Sequence, residues 1–575
     1  MRRLRVALID LLPGGPGRAS RRAEQDLTAR ILAQLPEPAP ATGPRVAVVI
    51  LNRNGVGHLR RLLPALESTA YADFETILVD NASSDGSVAY ARGFRSRRPL
   101  RIVENAENLS FSAANNAALE HTDAELLLFL NNDVRPMEPH WLSWMVESVM
   151  TAGTSACGVR MVLPRRSIPR SERTGMQGDL ELLHTGMEFV SIDGMPRPRT
   201  VGGPDPTGPG LAAVREQPLA AAACLLIPRD AFMAVGGFDP AYVYGYEDVD
   251  LCLRLRAAGG RILVDGRAVL WHDEGSTRRR DLSKAARVQQ RENRHLFYAR
   301  WGRTLFRDVL RDRLDGRRLL SIEPLSFGIA VPAEAVAAGG APPEALDLRD
   351  ALARRGWAVE LLVAGGIGWP GTVEVVVASD PSIDVRQLPR HVLKIALIVG
   401  PAGPWLAAPW IDDFDLLLVG DKGTLAAIRR GTSHIPRPAP PAGIADAIVT
   451  ELRSWIEARR AGILIDGDGS EPVARRIQRE FERRGLPSTI YFPAARHAAV
   501  STRDDLLIHL SDGEPLRRRP GQASVLWVAD QEQPLADEQV ASYDIVLVAS
   551  DHASDADRVD EILRQVDDLQ PGGRA

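Results

Sequence analysis

Continuous apolar runs alternate with helical patterns between Arg45 and about Val134. The runs RVAVVILN, FETILVDN, LRIVEN and AELLLFLNND are apolar and end in polar residues. Such runs are typical of strands that are buried on both faces of a parallel sheet. The segments between them, HLRRLLPALEST, SVAYARGFRSR and FSAANNAALEHT, have apolar residues at helical spacing. This alternation predicts an α/β fold with a mostly parallel, Rossmann-like central sheet.

Polar clusters follow three of the predicted strands. They are Asn52, Asp80–Asn81 and Asn131–Asn132–Asp133. In doubly wound sheets, ligands bind outside the carboxyl ends of the strands. We therefore expect these clusters to border one ligand site.

An internal repeat begins after Ser321. LRDALARRGWAVELL resembles IQREFERRGLPSTIY, and IDDFDLLLVGD resembles VASYDIVLVASD. Arg355-Gly356 aligns with Arg484-Gly485 at the same offset that aligns Asp415 with Asp544. Each copy has the pattern strand, helix, strand, followed by a later strand, turn and strand. The repeat predicts two Rossmann-like α/β lobes.

These patterns divide the chain of 575 residues, which is too long for one hydrophobic core. The expected parts are a flexible leader and linker (1–43), a first α/β domain (44–277), a basic helical segment (278–320), lobe 1 (321–450) and lobe 2 (451–575). Within the first domain, about Ser167 to Gly210 is rich in Gly, Pro and Arg and is expected to be a loop-rich insertion. The basic segment is interpreted as a solvated helix face, with membrane-surface or acidic-partner binding as the minority interpretation.

Composition excludes some classes of protein. A formal net charge of −4 argues against a nucleic-acid binder that works by bulk charge. The cysteines Cys157, Cys224 and Cys252 are not spaced as a zinc site or a disulfide framework, which favours reduced thiols in a cytoplasmic protein. The longest uncharged run, Ile395–Ile411, carries three prolines, so no transmembrane segment is expected and any membrane contact is peripheral.

Three motifs offer candidate chemistry. Asp133 follows a buried strand, Glu247 and Asp248 begin a predicted helix, and His272 ends a strand-like run. Alone, each has a plain structural explanation: turn chemistry, helix capping and a structural histidine.

The joint order of the motifs changes this interpretation. VVILNRNG, ILVDNASSDGS, ENLSFSAANNAAL, LLFLNNDV, YGYEDVDLCLR and VLWH together resemble the family 2 glycosyltransferases, inverting enzymes of the GT-A fold, especially their rhamnosyltransferase-like branch. The resemblance covers about Arg45–Thr277. It implies transfer of a sugar, such as rhamnose, from a UDP- or dTDP-sugar with Mn²⁺ or Mg²⁺. The implied acceptor is a cell-surface polysaccharide or a lipid-linked glycan.

The resemblance also implies roles for individual residues. Asp80 accepts a hydrogen bond from the imide of the pyrimidine base, and Asp248 is the general base beside Glu247. The implied donor-binding residues are Leu51, Asn52, Asp80, Asn108, Asn115, Asn131 and Asn132; the metal ligands are Asp133 and His272; and the acceptor-binding residues are Gly237, Phe238, Tyr244 and Tyr246.

The NND motif and the C-terminal repeat leave an alternative open, and the donor segment shows a second departure from the family pattern. The metal motif is NND rather than DxD, so Asn131 supplies a neutral oxygen, and Ser110 and Ala114 stand where many relatives have glycine. The alternative is a non-catalytic glycan-binding or assembly scaffold that keeps the transferase fold.

The C-terminal lobes resemble GT-B-like, spore-coat-type glycosyltransferases more weakly. Three roles stay open for them: a degenerate scaffold that binds acceptor or partner, a second transferase, or a carbohydrate-binding unit. The first is favoured, because neither copy shows a recognisable donor motif.

Overall fold

The apolar runs near the N-terminus form one side of a ten-stranded sheet in the structure, which is a computed structural model. The chain divides into unit 1 (Met1–Glu188 and Pro198–Arg294) and unit 2 (Phe189–Arg197 and His295–Ala575). The structure describes residues 25–26, 28–36, 42–164, 180–192, 194–203, 205–243, 245–272, 284–338, 340–364, 373–389, 392–432, 434–439, 443–465, 468–491, 504–510, 522–528, 541, 543–548 and 554–569.

Four parallel strands with intervening helices build the first half of unit 1. The elements are β1 (Val46–Asn52), α1 (Val56–Glu67), β2 (Phe74–Asn81), α2 (Ser87–Gly93), β3 (Leu100–Asn105), α3 (Phe111–Ala117) and β4 (Leu126–Asn131). The strands lie in the order β4-β1-β2-β3 and all pair in parallel. In α1, Leu59, Leu62, Leu63 and Leu66 recur at helical spacing and are buried. The predicted α/β class is confirmed.

An antiparallel strand joins this half to the rest of the sheet. The further elements are β5 (Val134–Pro136), α4 (Trp141–Val149), β6 (Thr154–Pro164), β7 (Leu180–His184), β8 (Met187–Ile192), β9 (Met195–Thr200), β10 (Val214–Glu216), β11 (Cys224–Pro228), α5 (Arg229–Ala234), α6 (Glu247–Ala257) and β12 (Arg261–His272). β11 is antiparallel to both β4 and β6, whereas β12 is parallel to β6. The sheet order is therefore β10-β12-β6-β11-β4-β1-β2-β3.

Strands occur where we expected a loop-rich insertion. The described part of residues 167–210 contains β7, which pairs with β6, and β8, which pairs with β9. Pro196 and Pro198 lie in β9, one of two strands in a small sheet. Proline is tolerated at a sheet edge because the missing N–H faces away from the partner strand. The proline content was therefore a poor guide to the absence of strands.

Part of the expected flexible leader packs on unit 1. Residues 28–32 are helical. Ile31 is fully buried and packs with Val162, Val269 and Trp271. Burial of an isoleucine against these apolar side chains holds this turn in place. The flexible leader stays a prediction, and residues 1–24, 27 and 37–41 of it lie outside the described residues.

One long helix, α7 (Lys284–Leu314), occupies most of the predicted basic helical segment. Phe306, Leu310 and Leu314 recur every four residues and enter the core of unit 2 with Leu325 and Phe327. None of the described helices combines the length and the apolar character that crossing a membrane requires.

Two all-parallel sheets form the remainder of unit 2. The first contains β13 (Ser326–Val331), α8 (Ala333–Ala337), α9 (Pro343–Ala353), β14 (Ala358–Val363), β15 (Val375–Ala378), β16 (Leu393–Ile398), α10 (Ala402–Ala407), β17 (Leu416–Val419), α11 (Lys422–Gly431), β18 (Arg437–Pro438) and α12 (Ile444–Glu457). The second contains β19 (Ala461–Ile465), α13 (Glu471–Arg483), β20 (Ser488–Tyr491), β21 (Leu506–Leu510), β22 (Ala523–Val528), β23 (Ile545–Val548) and α14 (Asp555–Leu569).

The two sheets share a strand order and matched contacts. The first runs β14-β13-β15-β16-β17-β18 and the second β20-β19-β21-β22-β23, so both contain the order 2-1-3-4-5. Asp415 accepts a hydrogen bond from the N–H of Lys394 (2.9 Å), and Asp544 accepts one from the N–H of Ser524 (2.9 Å). These equivalent aspartates each bind the start of the neighbouring strand, which gives them a structural role.

A buried histidine connects the two sheets. His434 follows α11, and its Nδ1 lies 3.7 Å from a carboxylate oxygen of Glu482 in α13. Its Nε2 lies 3.0 Å from the carbonyl of Asp412. Burial by itself lowers the pKa of His434, but the hydrogen bond and charge of Glu482 outweigh burial and raise the pKa to about 9.

We predict that this contact makes the stability of unit 2 depend on pH. The raised pKa means that its stabilisation is fully present below pH 6.5, the ordinary value for histidine, and is lost as pH rises towards about 9. The urea midpoint of the full chain should therefore fall over that interval. His434→Gln and Glu482→Gln should each flatten the decline, and an unchanged slope in both variants would contradict the assignment.

Candidate active site

The side chain of Asn52 joins the carboxyl ends of three neighbouring strands. Its amide nitrogen donates to Asp80 at the end of β2 (3.1 Å), and its oxygen accepts from Asn132 just after β4 (2.8 Å). Leu51 and Asn131, the other predicted donor contacts at these strand ends, are half-buried. The backbone N–H of Asn131 donates to the carbonyl of Ala223 (2.9 Å). Four predicted donor residues thus meet at one edge of the sheet with Asp80.

Asp80 is held by the protein at both carboxylate oxygens. Oδ1 accepts from Asn52, and Oδ2 accepts from the N–H of Ser83 (2.8 Å). Only 3% of its surface is exposed. Because each carboxylate oxygen can accept two hydrogen bonds, capacity remains for one further donor such as an imide N–H.

The loop between β1 and α1 approaches this edge closely. A Cβ at Gly55 would lie 2.3 Å from the amide nitrogen of Asn132 and 2.5 Å from the amide oxygen of Asn52. Any larger residue would displace the Asn52–Asn132 bond. Asp85 holds the chain directly after Gly55, because it accepts from the N–H of Val56, the first residue of α1 (2.9 Å).

A second asparagine cluster positions the segment before α3. Asn81 donates to the side chain of Asn108 (2.9 Å) and to the carbonyl of Leu109 (2.8 Å), and it accepts from Asn105 (3.0 Å). Asn108 therefore lies at the strand ends with the other predicted donor residues. Asn115 is buried, and its amide donates to the carbonyl of Phe111 in its own helix (2.9 Å).

Asp133 and His272 lie together although 139 positions separate them in the chain. The distance from Asp133 Oδ1 to His272 Nε2 is 3.5 Å, because β5, directly after Asp133, pairs with the end of β12. Burial by itself raises the pKa of Asp133. The hydrogen bond and the charge of His272 outweigh burial, so the pKa lies below its ordinary value. The carboxylate is therefore kept ionised.

The pair fits a divalent cation completed by substrate. Two atoms that each bind one ion at about 2.1 Å can be up to about 4.2 Å apart, so a separation of 3.5 Å permits both to reach it. No cluster of three or more His, Cys, Asp or Glu side chains suited to a metal occurs among the described residues. Ions of this kind are often held by one or two protein ligands plus phosphate oxygens. His272 Nδ1 is buried without a hydrogen-bond partner, so no acceptor among the described residues fixes the orientation of this ring from its other side.

Asp248 lies in the first turn of α6. Its Oδ2 accepts from the N–H of Ala222 (3.3 Å) and its Oδ1 from the N–H of Val249 (2.8 Å). Glu247 precedes it as the first residue of the helix. The helix N-terminus favours an ionised carboxylate. Tyr246, directly before Glu247, has φ +73°, a strained left-handed conformation that sets the direction in which the helix begins. Tyr244 lies outside the described residues.

Asp250 of the same acidic turn is explained by packing. It is fully buried, and its Oδ2 accepts from Arg254 Nε (2.8 Å) while its Oδ1 accepts from the hydroxyl of Tyr242 (3.4 Å). Arg254 in turn donates to the carbonyl of Val235 (2.6 Å). Asp250 therefore ties α6 to the preceding loop.

One asparagine holds the loop of residues 236–239, the GGFD loop, to α3. Asn116 donates to the carbonyl of Phe238 (2.7 Å) and accepts from its N–H (3.0 Å). The Phe238 ring is fully buried in edge-to-face contact with three other phenylalanines. Gly237 has φ +70°, and a Cβ there would lie 2.9 Å from Asn116 Oδ1. A buried ring cannot contact an acceptor directly, so Phe238 can only shape the pocket through its backbone and its packing.

Comparison with known proteins identifies the family. The sequence model described as Glycosyl transferase family 2 matches residues 46–187. The N-acetylglucosaminyl-diphospho-decaprenol L-rhamnosyltransferase of Mycobacterium tuberculosis (strain ATCC 25618 / H37Rv) is 30% identical over 286 residues, which cover 46% of this chain and 89% of that protein. The chain belongs to glycosyltransferase family 2.

Other relatives of this family 2 glycosyltransferase are matched over a smaller part of their length. The O-antigen biosynthesis protein RfbC of Myxococcus xanthus is 29% identical over 41% of this chain and 18% of its own length. The protein y4gI of Sinorhizobium fredii is 29% identical over 45% of this chain and 28% of its own. The match thus spans less than a third of either relative. A solved structure, the mannosyltransferase PcManGT from Pyrobaculum calidifontis in complex with GDP-Man and Mn²⁺, is 16% identical with a TM-score of 0.30, over 59% of this chain and 89% of that one.

The structure adds two residues that the sequence motifs did not single out, Asn116 and Gly55, and it shows what Asn81 of the predicted polar clusters contacts. Asn116 holds the GGFD loop, Asn81 holds the Asn108 segment, and Gly55 permits the approach of the β1–α1 loop. Asn116 directly follows the predicted Asn115 in α3. Because neighbouring residues of a helix point in different directions, Asn116 contacts the loop whereas Asn115 contacts its own helix. The FSAANN motif marks the right segment, but the contact itself is made by tertiary packing.

We predict that Asn116→Asp destabilises unit 1 of this family 2 glycosyltransferase. The variant puts a carboxylate oxygen against the carbonyl of Phe238, where the amide now donates, and leaving a buried group unsatisfied costs about 1–3 kcal/mol. The urea midpoint should fall, and near-ultraviolet circular dichroism should report loosening of the phenylalanine cluster. A midpoint equal to that of the wild type would show that the loop does not depend on Asn116.

Proposed function

We propose that residues 44–277 form an inverting glycosyltransferase domain that uses a UDP- or dTDP-sugar. The observation that carries the proposal is the Asp133–His272 pair, 3.5 Å apart, directly beyond the Asn52–Asp80–Asn132 network. A carboxylate suited to a pyrimidine imide at the end of β2 and a pair suited to a cation after β4 thus occur on the two sides of β1. These are the two elements that a nucleotide diphosphate requires.

The names of relatives suggest the sugar and the acceptor. One relative is an L-rhamnosyltransferase that acts on N-acetylglucosaminyl-diphospho-decaprenol, and another is an O-antigen biosynthesis protein. We therefore favour rhamnose or a related sugar, transferred to a cell-surface polysaccharide or a lipid-linked glycan. The proposed location is the cytoplasm, with peripheral contact at the inner face of the plasma membrane, where soluble donors meet lipid-linked acceptors.

In the proposed reaction, Asp248 is the general base. It takes the proton of the acceptor hydroxyl while that oxygen attacks the anomeric carbon of the donor. The bond from the anomeric carbon to the diphosphate breaks on the opposite side, and the nucleoside diphosphate leaves. Attack opposite to the leaving group inverts the anomeric carbon without a covalent enzyme intermediate. The hydrogen bond from Ala222 orients Asp248, and the helix N-terminus favours negative charge at this position.

Asp133 and His272 are the proposed ligands of Mn²⁺ or Mg²⁺. Such a cation, when bound, offsets the charge that develops on the departing diphosphate. The proposed donor site is bordered by Asn108, Asn115, Asn131 and Asn132. Leu51 and Asn52 are proposed to line the pyrimidine base of the donor beside Asp80. The proposed acceptor-binding residues are Gly237, Phe238, Tyr244 and Tyr246. Glu247 lies beside the proposed general base, Asp248.

The two lobes after residue 320 are proposed as domains of a different kind. Lobe 1 (321–450) and lobe 2 (451–575) are interpreted as a GT-B-like pair that has lost catalysis and binds acceptor or partner. The structural roles of Asp415 and Asp544 support this, because the repeated acids are used to hold strands. A second transferase and a carbohydrate-binding unit remain the rival roles.

A non-catalytic scaffold is the second candidate for the whole chain. It is favoured by the neutral Asn131 in NND and by the protein hydrogen bonds on both oxygens of Asp80. The pairing of Asp133 with His272 speaks against it, because packing alone does not require a buried carboxylate and imidazole to converge. The two variants below separate the candidates.

We predict that Asp248→Asn lowers transfer or donor hydrolysis by about 10²–10⁴-fold and leaves nucleotide affinity unchanged. Asparagine keeps the shape of the side chain and its place at the helix terminus but cannot take the proton. Asp250→Asn is the matched control: it should lower stability, because it breaks the buried pair with Arg254. Equal activity of Asp248→Asn and wild type across a panel of donors would remove the general-base role.

We predict that Asp133→Asn abolishes the gain in UDP affinity that Mn²⁺ gives the wild type. The reason is the loss of the charged ligand beside His272. Calorimetric titration of UDP with and without Mn²⁺ measures the effect, and UDP binding without metal is the internal control. A wild-type chain that binds neither UDP nor dTDP with Mn²⁺ would favour the scaffold.

A further inference from the structure

Arg160 in β6 is a fully buried arginine whose guanidinium makes no hydrogen bond. It has 0% exposed surface, and Nε, Nη1 and Nη2 all lack a partner. A guanidinium carries five N–H donors, and arginine is almost never fully buried unless it is paired. Burial lowers the pKa of Arg160 to about 10, which is still well above neutral pH. The side chain is therefore a buried cation with unused donors.

The carboxylate of Asp265, whose charge acts on Arg160, makes no hydrogen bond to it. Asp265 in β12 acts on Arg160 through its charge, but its oxygens are occupied by other groups. Its Oδ2 accepts from Ser148 (2.7 Å) and Arg267 (2.7 Å), and its Oδ1 accepts from the N–H and the Nε of Arg267 (2.9 and 3.0 Å). Asp265 is thus the partner of Arg267, and this leaves the donors of Arg160 for another group.

The register of the sheet places Arg160 level with the proposed site. Cys157 pairs with Leu226 in antiparallel β11, so three residues further on Arg160 is level with Ala223. The carbonyl of Ala223 accepts from the N–H of Asn131 in β4 (2.9 Å). Arg160 and Asn131 therefore share a row, two strands apart, which is about 10 Å.

The alternation of side chains places Arg160 on the face that carries Asp248. Cys157, Val159 and Met161 all enter the core cluster that contains Trp141 of α4, so Arg160 projects from the opposite face. Its neighbour on that face, Gly158, lies against Ala220, since a Cβ there would be 2.7 Å from the Ala220 Cβ. Two residues later, the N–H of Ala222 holds Asp248.

The direction across the sheet separates Arg160 from the donor nucleotide. Asp80 lies on β2, and the sheet continues through β1, β4 and β11 before it reaches β6. Arg160 and the proposed pyrimidine site at Asp80 thus lie on opposite sides of β4, the strand that Asp133 follows. This is the side on which Asp248 must meet the acceptor.

We propose that Arg160 binds a phosphate group of the acceptor, so that the acceptor is a phosphorylated molecule such as a lipid diphosphate-linked sugar. This inference rests on the proposed function of residues 44–277. A planar guanidinium with every donor unused suits an oxyanion with several acceptor oxygens. Because the guanidinium is fully covered, the phosphate reaches it only with a local rearrangement of its cover.

The test uses the full chain with saturating UDP and Mn²⁺, so that the nucleotide site is filled before the acceptor probe is added. The probe is geranyl diphosphate, titrated by calorimetry into the wild type, Arg160→Met and Arg160→Lys. We expect Arg160→Met to bind the probe about tenfold or more weakly, the loss of one charge-assisted contact, and Arg160→Lys to bind it with intermediate affinity. The affinity for UDP should be the same in all three.

Stability distinguishes this role from a structural one. Replacing an unpaired buried cation by an apolar side chain should leave the melting temperature unchanged or raise it. Arg267→Met is the matched control on the neighbouring strand: it should lower the melting temperature, because Arg267 is paired with Asp265, and should leave probe affinity unchanged.

Several outcomes would overturn the proposal. They are equal probe affinity in Arg160→Met and wild type, a parallel loss of UDP affinity, or a lowered melting temperature without a loss of probe affinity. A wild type that binds UDP with Mn²⁺ but not geranyl diphosphate would refute this inference and leave the proposed function standing. A wild type that binds neither would refute both.

Discussion

One buried amide, that of Asn52, links the ends of three strands at the edge where the candidate site lies. Its hydrogen-bonding groups are used by Asp80 on one side and Asn132 on the other. The contact with Asp80 is buried and the contact with Asn132 is partly buried, so a change at any of these residues leaves another group with an unsatisfied hydrogen bond. The bond to Asn132 positions the chain directly before Asp133. The side chain of Asn52 therefore helps to orient both the proposed pyrimidine contact, Asp80, and the proposed cation ligands, Asp133 and His272.

Buried charges in unit 1 fall into two classes. Asp250 with Arg254 and Asp265 with Arg267 are paired inside the fold, and those pairs account for their burial. Arg160 has no such pair, and Asp133 faces an imidazole rather than a cationic Lys or Arg. For Arg160, a fold that only had to be stable would use an apolar side chain, since an unpaired buried charge opposes folding. The second class is therefore where ligand binding is the better explanation.

Unit 2 uses its repeated acids differently. Asp415 and Asp544 occupy equivalent positions of the two sheets and make the same contact to the neighbouring strand. Gly356 and Gly485, also equivalent, both have φ near +80°, at the turn that follows the preceding helix. Duplication has thus preserved the residues that shape each sheet. The charged residues between the sheets, such as Arg475 with Asp413 (2.7 Å), occur in only one copy because they serve the contact between the copies.

The sequence by itself determined the α/β class, the strand ends that carry Asn52, Asp80 and Asp133, and the duplication in the second half. It could do so because these features are local: burial gives apolar runs, strand ends give polar clusters, and duplication gives matched spacing. It misjudged β7 to β9, because proline was taken to exclude strands and an edge strand tolerates it. The family resemblance also implied that Asp133 and His272 share one metal, and tertiary structure supplied the contact between them. Tertiary structure alone decided that Asn116 rather than Asn115 holds the GGFD loop. It also decided that Arg160 is buried without a partner. These facts depend on strand order and helix phase, which bring together residues far apart in the chain and which no local pattern records.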